Sequence, residues 1–265
     1  MNVVSAMVEG AELRLRQPVP SLRCHLGCFW SMTTTPATRL RTLPDACATL
    51  TVETEGGTPP RCFLAGPRLT PAERIPGAGQ TLFGVRLRPG VAFALTGVPI
   101  HTLVERRPPL ASLLPTAGRQ LDRLLARART ADEGLDVLEA FLLRRLAGAQ
   151  VDARVQRALD LIAGSGGQVR VAQLPRDCRV SSRHLRRLLH VWVGFSPKRL
   201  ATVSRFQALL QRLETSPGGS SADAAAELGY FDQSHLTHDV STFAGAGPRH
   251  LARHRVADFS KTRCG

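Results

Sequence analysis

Three arginines in the last third of the chain have a spacing that suits binding to a polyanion. Arg183, Arg186 and Arg187 stand at positions i, i+3 and i+4, so a helix would place them on one face. The planar guanidinium group pairs with O6 and N7 of guanine and equally with phosphate oxygens. Because three like charges on one helical turn repel each other unless an anion is near, the pattern favours nucleic-acid binding over a solvated charged surface.

A second candidate for chemistry lies in the N-terminal half, where Cys24, His25 and Cys28 are close together. On a strand, Cys24 and Cys28 would point to one face and could form a metal or redox pair. The six cysteines nevertheless lack the paired CxxC spacing of structural zinc, and free cysteines are usually buried as small apolar residues. We therefore expect neither a metal nor a cofactor.

Signatures of catalysis are missing from the sequence. It contains no paired-carboxylate, HExxH, Gly-x-Ser-x-Gly or phosphate-loop motif. His25 and His101 are isolated histidines, which are more often structural than catalytic. We expect that the protein is not an enzyme, and keep as an alternative an active site in the N-terminal half that uses the Cys24 cluster.

The composition also favours nucleic acid as the partner but does not establish it alone. The 265 residues carry a net charge of +14, almost all from arginine, since Lys198 and Lys261 are the only lysines. Such a charge attracts nucleic acid, but a generally arginine-rich composition would give the same excess. No apolar run is long enough to cross a bilayer and no signal peptide is recognisable, so we expect a cytoplasmic protein without a membrane partner.

The N-terminal half has the pattern of a small β structure. Its apolar or β-branched runs are short and are separated by turns rich in Gly and Pro, which predicts an antiparallel β-barrel or sandwich. The runs are Leu22–Trp30, Ala48–Val52, Arg61–Ala65, Thr81–Leu87 and Ala92–Leu95.

Helical spacing begins after Pro115. Two apolar stripes, one from Leu121 to Ala128 and one from Leu135 to Leu146, predict a helical hairpin at about residues 117–147, with Asp132 placed to cap its second helix. The stripes could pack on the β structure or against a second subunit.

From Val151 onward the whole pattern is helical. Asp152 and Ser181 are placed to cap two helices, and Ser196-Pro197 opens a long one that runs to Leu213. A capping box at residues 220–223 and Asp232 then introduce two more helices.

Two of these helices repeat each other in a constant register. Leu185 and Leu236, Leu189 and Val240, Trp192 and Phe243, Gly194 and Gly245, Pro197 and Pro248, and Leu200 and Leu251 are all 51 residues apart. A register shared by so many structural positions indicates a tandem of one unit. Each unit consists of a helix, a tight turn, a helix and a Gly-x-x-Pro exit, which is typical of a helix-turn-helix.

Four runs carry a more specific pattern: Ser181-Ser182-Arg183-His184-Leu185-Arg186-Arg187, Gly194-Phe195-Ser196-Pro197, Leu228-Gly229-Tyr230-Phe231-Asp232-Gln233-Ser234-His235-Leu236-Thr237, and Phe243-Ala244-Gly245. With these runs, residues 151–256 resemble the AraC/XylS family of transcription regulators. The resemblance implies two helix-turn-helix units that are joined by a long helix and enter successive major grooves. It also implies that the N-terminal half is an effector-binding or dimerising module.

The sequence departs from the family pattern at two positions. Pro175 lies inside the first unit's leading helix, which it should shorten because proline tends to start a helix rather than continue one. Arg179 stands where a turn glycine is usual. Both departures put the geometry of the first unit in question.

We thus predict an α+β protein with three parts: a β-rich sensor or dimerisation domain at 1–148, a double helix-turn-helix domain at 149–256, and a tail at 257–265. The expected partner is double-stranded DNA; a small-molecule effector, RNA polymerase and a second copy of the chain are further candidates. A nonspecific basic nucleic-acid binder is the alternative in the same class. The predicted DNA contacts are Ser182, Arg183, Arg186, Arg187, Gln233, Ser234, Thr237, His238, Arg199, Arg205 and Arg249.

Overall fold

The computed structural model describes residues 6–54, 58–215, 227–229, 233–245 and 256–257. In this part of the chain, β-strands precede helices, and the α+β prediction is confirmed. The strands are β1 (Ala6–Glu9), β2 (Arg14–Arg16), β3 (Leu26–Thr33), β4 (Arg39–Thr42), β5 (Ala48–Thr54), β6 (Arg61–Ala65), β7 (Ala72–Arg74), β8 (Thr81–Leu87) and β9 (Val256–Ala257).

The strands form two open antiparallel sheets that face each other. One sheet has the order β2-β3-β8-β5-β6 and the other has the order β7-β4-β1-β9. The space between them is filled by Trp30, Met32 and Leu82 from the first sheet and by Val8 and Leu40 from the second. Of the two predicted β architectures, the described strands therefore form the sandwich.

Helices cover the outer face of the five-stranded sheet. They are α1 (Val91–Thr96), α2 (Leu110–Leu113), α3 (Pro115–Leu125) and α4 (Ala131–Arg145). Phe83, Val85 and Leu87 alternate along β8 and join the apolar cluster that contains Leu138 and Leu142 of α4. The predicted hairpin thus packs on the sheet of its own chain, which decides between the two arrangements that the sequence left open.

Three local predictions in this half were wrong. Ala92–Leu95 belongs to α1 and not to a strand, because its buried positions Val91, Ala92 and Leu95 have helical spacing. The first part of Leu22–Trp30 contains a 3-10 turn at Pro20–Leu22, and β3 begins only at Leu26. Thr130, rather than Asp132, caps α4 by accepting a hydrogen bond from the Glu133 backbone N–H.

The C-terminal half is built from α5 (Ala153–Gly164), α6 (Leu174–Asp177), α7 (Ser182–Trp192), α8 (Pro197–Thr215) and α9 (Gln233–Ala244). The predicted cap at Asp152 is confirmed by a 2.9 Å hydrogen bond from the Arg154 backbone N–H. Ser181 caps α7 in the same way by accepting from His184 at 3.2 Å. The predicted capping box at 220–223 and the predicted cap at Asp232 lie outside the described residues.

The two halves of the chain are packed together. Leu43 and Ala46, in the segment between β4 and β5, belong to the apolar cluster of the C-terminal helices. At the other end, β9 pairs with β1, so the last described residues return to the four-stranded sheet. The division of the chain near residue 148 stays a prediction. Within the described residues, the helices include none that is long and apolar enough to span a membrane.

Candidate nucleic-acid interface

The first helix-turn-helix is formed by α6, a tight turn and α7. Pro175 lies in the first turn of α6, and this helix is only four residues long, so the shortening expected from the proline is confirmed. Arg179 takes a left-handed backbone conformation, with φ of 55°, where the family pattern has glycine. The Val180 N–H donates to the Pro175 carbonyl at 2.9 Å and closes the turn. The unit is therefore intact despite both departures.

The helix α7 divides cleanly into a buried and an exposed face. Leu185 and Leu189 are fully buried in the helical core. Arg183, Arg186 and Arg187 are exposed, as is Ser182 in the first turn. The sequence-predicted arginine face therefore exists and is accessible to a large partner.

Two arginines and the histidine between them connect α7 to the start of α5. Nη2 of Arg187 lies 3.2 Å from Nδ1 of His184, and Nε2 of His184 lies 3.2 Å from Nη1 of Arg154. A neutral imidazole can accept a hydrogen bond at only one of its nitrogens, so the ring satisfies at most one of the two arginines. Arg154 also holds Asp152, and its hydrogen bonds lower the pKa of that carboxyl to about 2.

This cluster adds Arg154 to the candidate interface. The sequence analysis did not find it, because Arg154 belongs to another helix and meets α7 only in the folded chain. Its position two residues after the α5 cap and its exposure are the signals that point to it. Together with the arginines of α7, it forms a cationic surface that an anion would stabilise.

The second unit places α9 in the same relation to the core. Val240, Phe243 and Ala244 are buried, and the Phe243 ring lies 5.3 Å from that of Phe206 on α8. Thr237 and Ser241 are exposed. Gln233, Ser234 and His238 stand in this helix, but their side chains lie outside the described residues, as does all of Arg249.

The repeat extends to backbone conformation. Gly194 ends α7 with φ of 91°, and Gly245, its counterpart 51 residues later, follows α9 with φ of 63°. Both values lie in the left-handed region that favours glycine at helix ends. At the apolar positions of the repeat, Leu189 and Val240 are both buried.

The connector α8 lies between the two units. Its apolar stripe, including Leu200, Val203 and Phe206, is buried in the same core as α7 and α9. Near its C-terminal end, Arg212 forms an ion pair with Glu227, at 2.7 Å. Gln168, in the loop after α5, donates to the Glu227 carbonyl at 3.0 Å. These contacts join the start of the second unit to the first.

The two predicted phosphate contacts on α8 have different surroundings. Arg199 is exposed in the first turn. Arg205 is half-buried, and its Nη2 donates to the Gly167 carbonyl at 3.2 Å. The contact of Arg205 holds α8 against the loop after α5.

The C-terminal end of α7 touches the N-terminal half. The ring of Trp192 lies 4.5 Å from that of Phe93 on α1, and His190 lies 5.7 Å from His101. A Cβ at Gly194 would come within 2.9 Å of Val104. The N-terminal half thus packs against the C-terminal end of α7. The N-terminal part of α7, which carries the arginines, stays exposed.

The cysteine cluster at the start of β3 does not have the arrangement that a metal or redox pair of Cys24 and Cys28 requires. Cys24 is exposed and precedes the strand, whereas Cys28 is completely buried within it. Burial lowers the pKa of His25. Among the described residues, the structure contains no group of three His, Cys, Asp or Glu side chains that could hold a metal ion.

Comparison with known families assigns the C-terminal region. Residues 174–254 match the family model described as a helix-turn-helix domain. The C-terminal part of the chain is an AraC-type helix-turn-helix domain. Helix-turn-helix domains of this type are found in DNA-binding transcription regulators. Residues 14–109 match a second model, described as a domain of unknown function.

Solved structures of ToxT from Vibrio cholerae match nearly the whole length of the chain. An apo variant from strain SCE256 is 9% identical with a TM-score of 0.42, and the match covers 95% of this chain and 98% of the ToxT chain. ToxT from strain O395 has the same identity and TM-score and covers 95% and 96%. Wild-type ToxT with a bound unsaturated fatty acid is 10% identical with a TM-score of 0.41 and covers 96% and 97%. No curated protein of similar sequence matches the chain.

Proposed function

We propose that the protein recognises a specific duplex DNA site by placing α7 and α9 in two successive major grooves. The observation that carries the proposal is the repeated helix end: Gly194 and Gly245 have the same left-handed turn at equivalent positions of two helices packed on α8. Two helices that pack on the same core and end in the same way can make two equivalent contacts with a regular duplex.

In the first unit, Arg183 and Arg187 read bases, and Arg186 is shared between bases and the phosphate backbone. Recognition helices contact base edges with residues near their N-terminus, which is where these exposed arginines lie. Ser182, in the same turn, is suited to a base or phosphate contact. The Arg154 guanidinium extends the cationic surface to the adjacent phosphates.

In the second unit, Gln233 pairs with adenine, and Ser234, Thr237 and His238 complete the base-facing side of α9. Arg199 and Arg249 contact phosphate, which fixes the register of the protein without reading sequence. Arg205 is a further candidate phosphate contact, and its bond to the Gly167 carbonyl also holds the connector helix.

Selection of bound sites from random duplexes tests the proposal. The expected result is a consensus in two parts whose centres lie about 10 bp apart, one helical turn. Binding that falls with salt but shows no preferred sequence would favour the nonspecific basic binder. A consensus with a single part would contradict the use of both helices.

The N-terminal half completes the regulator as a sensor for a small-molecule effector. Because one chain carries both reading units, a second copy is not needed for two DNA contacts. Homodimerisation and contact with RNA polymerase stay predictions.

A further inference from the structure

The imidazole ring of His184 lies between two arginines that compete for it. Its Nδ1 is 3.2 Å from Nη2 of Arg187, and its Nε2 is 3.2 Å from Nη1 of Arg154. Guanidinium nitrogens only donate hydrogen bonds, so each contact needs an acceptor on the ring. A neutral ring has one acceptor nitrogen and a protonated ring has none. A neutral ring therefore satisfies one of the two arginines, and a protonated ring satisfies neither.

The charged groups next to this ring come from two helices. Arg187 lies on α7 itself, and Arg154 lies at the start of α5, where it forms an ion pair with Asp152 at 2.6 Å. The hydrogen bonds from Arg154 lower the pKa of Asp152 to about 2, so this carboxylate is charged at neutral pH and is engaged by Arg154. Among the residues that the structure describes, no carboxylate forms an ion pair with His184.

Two other helices that pack on α7 do not supply an anion to the ring. The short helix α6 carries Arg176 and Asp177, and α8 begins with Pro197, Lys198 and Arg199. In the described part of the chain, none of these side chains contacts the imidazole. Both side chains that do contact it are cations. A phosphate oxygen would give this cluster the acceptor that its donors need.

The cluster is open to a large polyanion. Arg154 and Arg187 are exposed and His184 is half-buried. His184 lies in the first turn of α7, and recognition helices contact DNA through residues near their N-terminus. A duplex bound at this end of α7 therefore brings its phosphates within reach of the ring.

We propose that DNA binding is coupled to the uptake of one proton by His184. In the complex, Arg187 leaves the ring for the DNA and Arg154 holds a backbone phosphate. The ring takes a proton from solvent, because the neighbouring negative charge favours its charged form. Its Nε2–H then donates to the phosphate oxygen. The inference rests on the DNA-binding function proposed above and adds to it a phosphate contact that depends on pH.

Proton uptake fixes the direction of the pH dependence. The complex holds more protons than the free partners, so affinity for DNA rises as the pH falls, by the reciprocity of linked binding. Histidine side chains ordinarily exchange their proton between about pH 5 and 8. Asp152 and the arginines keep their charges over this range. A comparison of about pH 6 with about pH 8 therefore tests the ring and not its charged neighbours.

The variant His184→Gln tests the coupling, because glutamine has a hydrogen-bond acceptor and donors but takes up no proton. Anisotropy titrations of the full chain at constant ionic strength give the ratio of the affinities at the lower and the higher pH. We expect this ratio to be about threefold or more larger in the parent than in the variant. Equal ratios would overturn the proposal, including the case in which the variant binds more weakly by the same factor at both pH values.

His190→Gln is the matched control for the other histidine of α7. His190 is exposed at the opposite end of the helix, where its ring faces His101 of the N-terminal half. This variant should keep the pH ratio of the parent. If it loses the ratio as His184→Gln does, the effect is not specific to the ring between the arginines and the assignment to His184 is refuted.

Calorimetry in two buffers of different ionisation enthalpy counts the protons directly. The parent should take up a larger fraction of a proton per bound duplex than His184→Gln, and equal uptake would contradict the coupling.

A scrambled duplex separates this inference from sequence recognition. Phosphates are common to all sequences, so the pH ratio should appear with the selected and the scrambled duplex alike. If site selection returns no consensus, the scrambled duplex still measures the coupling. Binding with no difference between parent and His184→Gln refutes the coupling alone, whereas no binding to any duplex contradicts the coupling and the proposed function together.

Discussion

At the scale of single residues, the exposed arginines of α7 differ in what surrounds them. Arg183 and Arg186 extend into solvent from the first turns, while Arg187 touches His184, which also faces Arg154. A cation whose protein partner is an imidazole ring that is already shared with another cation gains most when an anion binds. Arg187 is therefore the side chain on α7 whose removal should be most informative.

Replacing Arg187 with Ala should weaken binding to the selected site by about 1–3 kcal/mol and relax the preference at one base position. The loss comes from a bidentate base contact, so binding to unrelated DNA should change much less. Anisotropy titrations with selected and scrambled duplexes measure both quantities. Arg127→Ala is the control for loss of one positive charge; equal losses on both duplexes would assign Arg187 to phosphate.

Replacing Ser181 with Ala should lower the free energy of unfolding by about 1 kcal/mol, because the His184 N–H loses its capping acceptor. Denaturant unfolding measures the change. Ser182→Ala, one residue later and inside the helix, should have little effect. Equal stability of the two variants would contradict the capping role.

At the scale of elements, the starts of two helices were predictable from local sequence, whereas the identity of one short apolar segment was not. The caps at Asp152 and Ser181 depend on one side chain and the following backbone, so local sequence is enough to predict them. The segment Ala92–Leu95 is short and wholly apolar, and such a run fits a buried strand or a buried helix equally well. The short strands β1, β2, β4 and β7 escaped prediction because their length and polarity give no clear alternation.

Gly194 shows how one position serves two elements. Its left-handed φ ends α7, and the missing side chain lets Val104 of the N-terminal half approach. Gly148 has a similar φ of 71° but open space around it, so Gly148→Ala should cost only the backbone strain, about 1–2 kcal/mol. Gly194→Ala should lower the free energy of unfolding by more than this. Equal costs in denaturant unfolding would mean that the contact with Val104 is unimportant.

At the scale of the whole molecule, the packing between the halves could not be predicted from the sequence. The pairing of Leu43 with the C-terminal core and the bond between Gln207 and Pro44 join residues more than 100 positions apart. No local pattern marks such a contact. Within the candidate interface the same limit applies to Arg154, whereas the arginine face of α7 followed directly from helical spacing.

Gln207→Met should destabilise the protein by about 1–3 kcal/mol, because it keeps the side-chain length but leaves the buried Pro44 carbonyl without a donor. Gln173→Met, at an exposed position before α6, is the matched control and should be close to neutral. Thermal unfolding distinguishes them. A stability of Gln207→Met equal to that of the parent would show that the bond contributes little to the packing of the two halves.

The central claim is that α8 holds two reading helices at a fixed separation for one side of a duplex. The most direct test is the affinity for the selected site compared with sites whose two parts are moved apart by about 5 bp and about 10 bp, half and one helical turn. We predict that both insertions reduce affinity to that of one isolated part, since the connector cannot lengthen. Equal affinity for all three duplexes, or recovery of full affinity with the one-turn insertion, would contradict it.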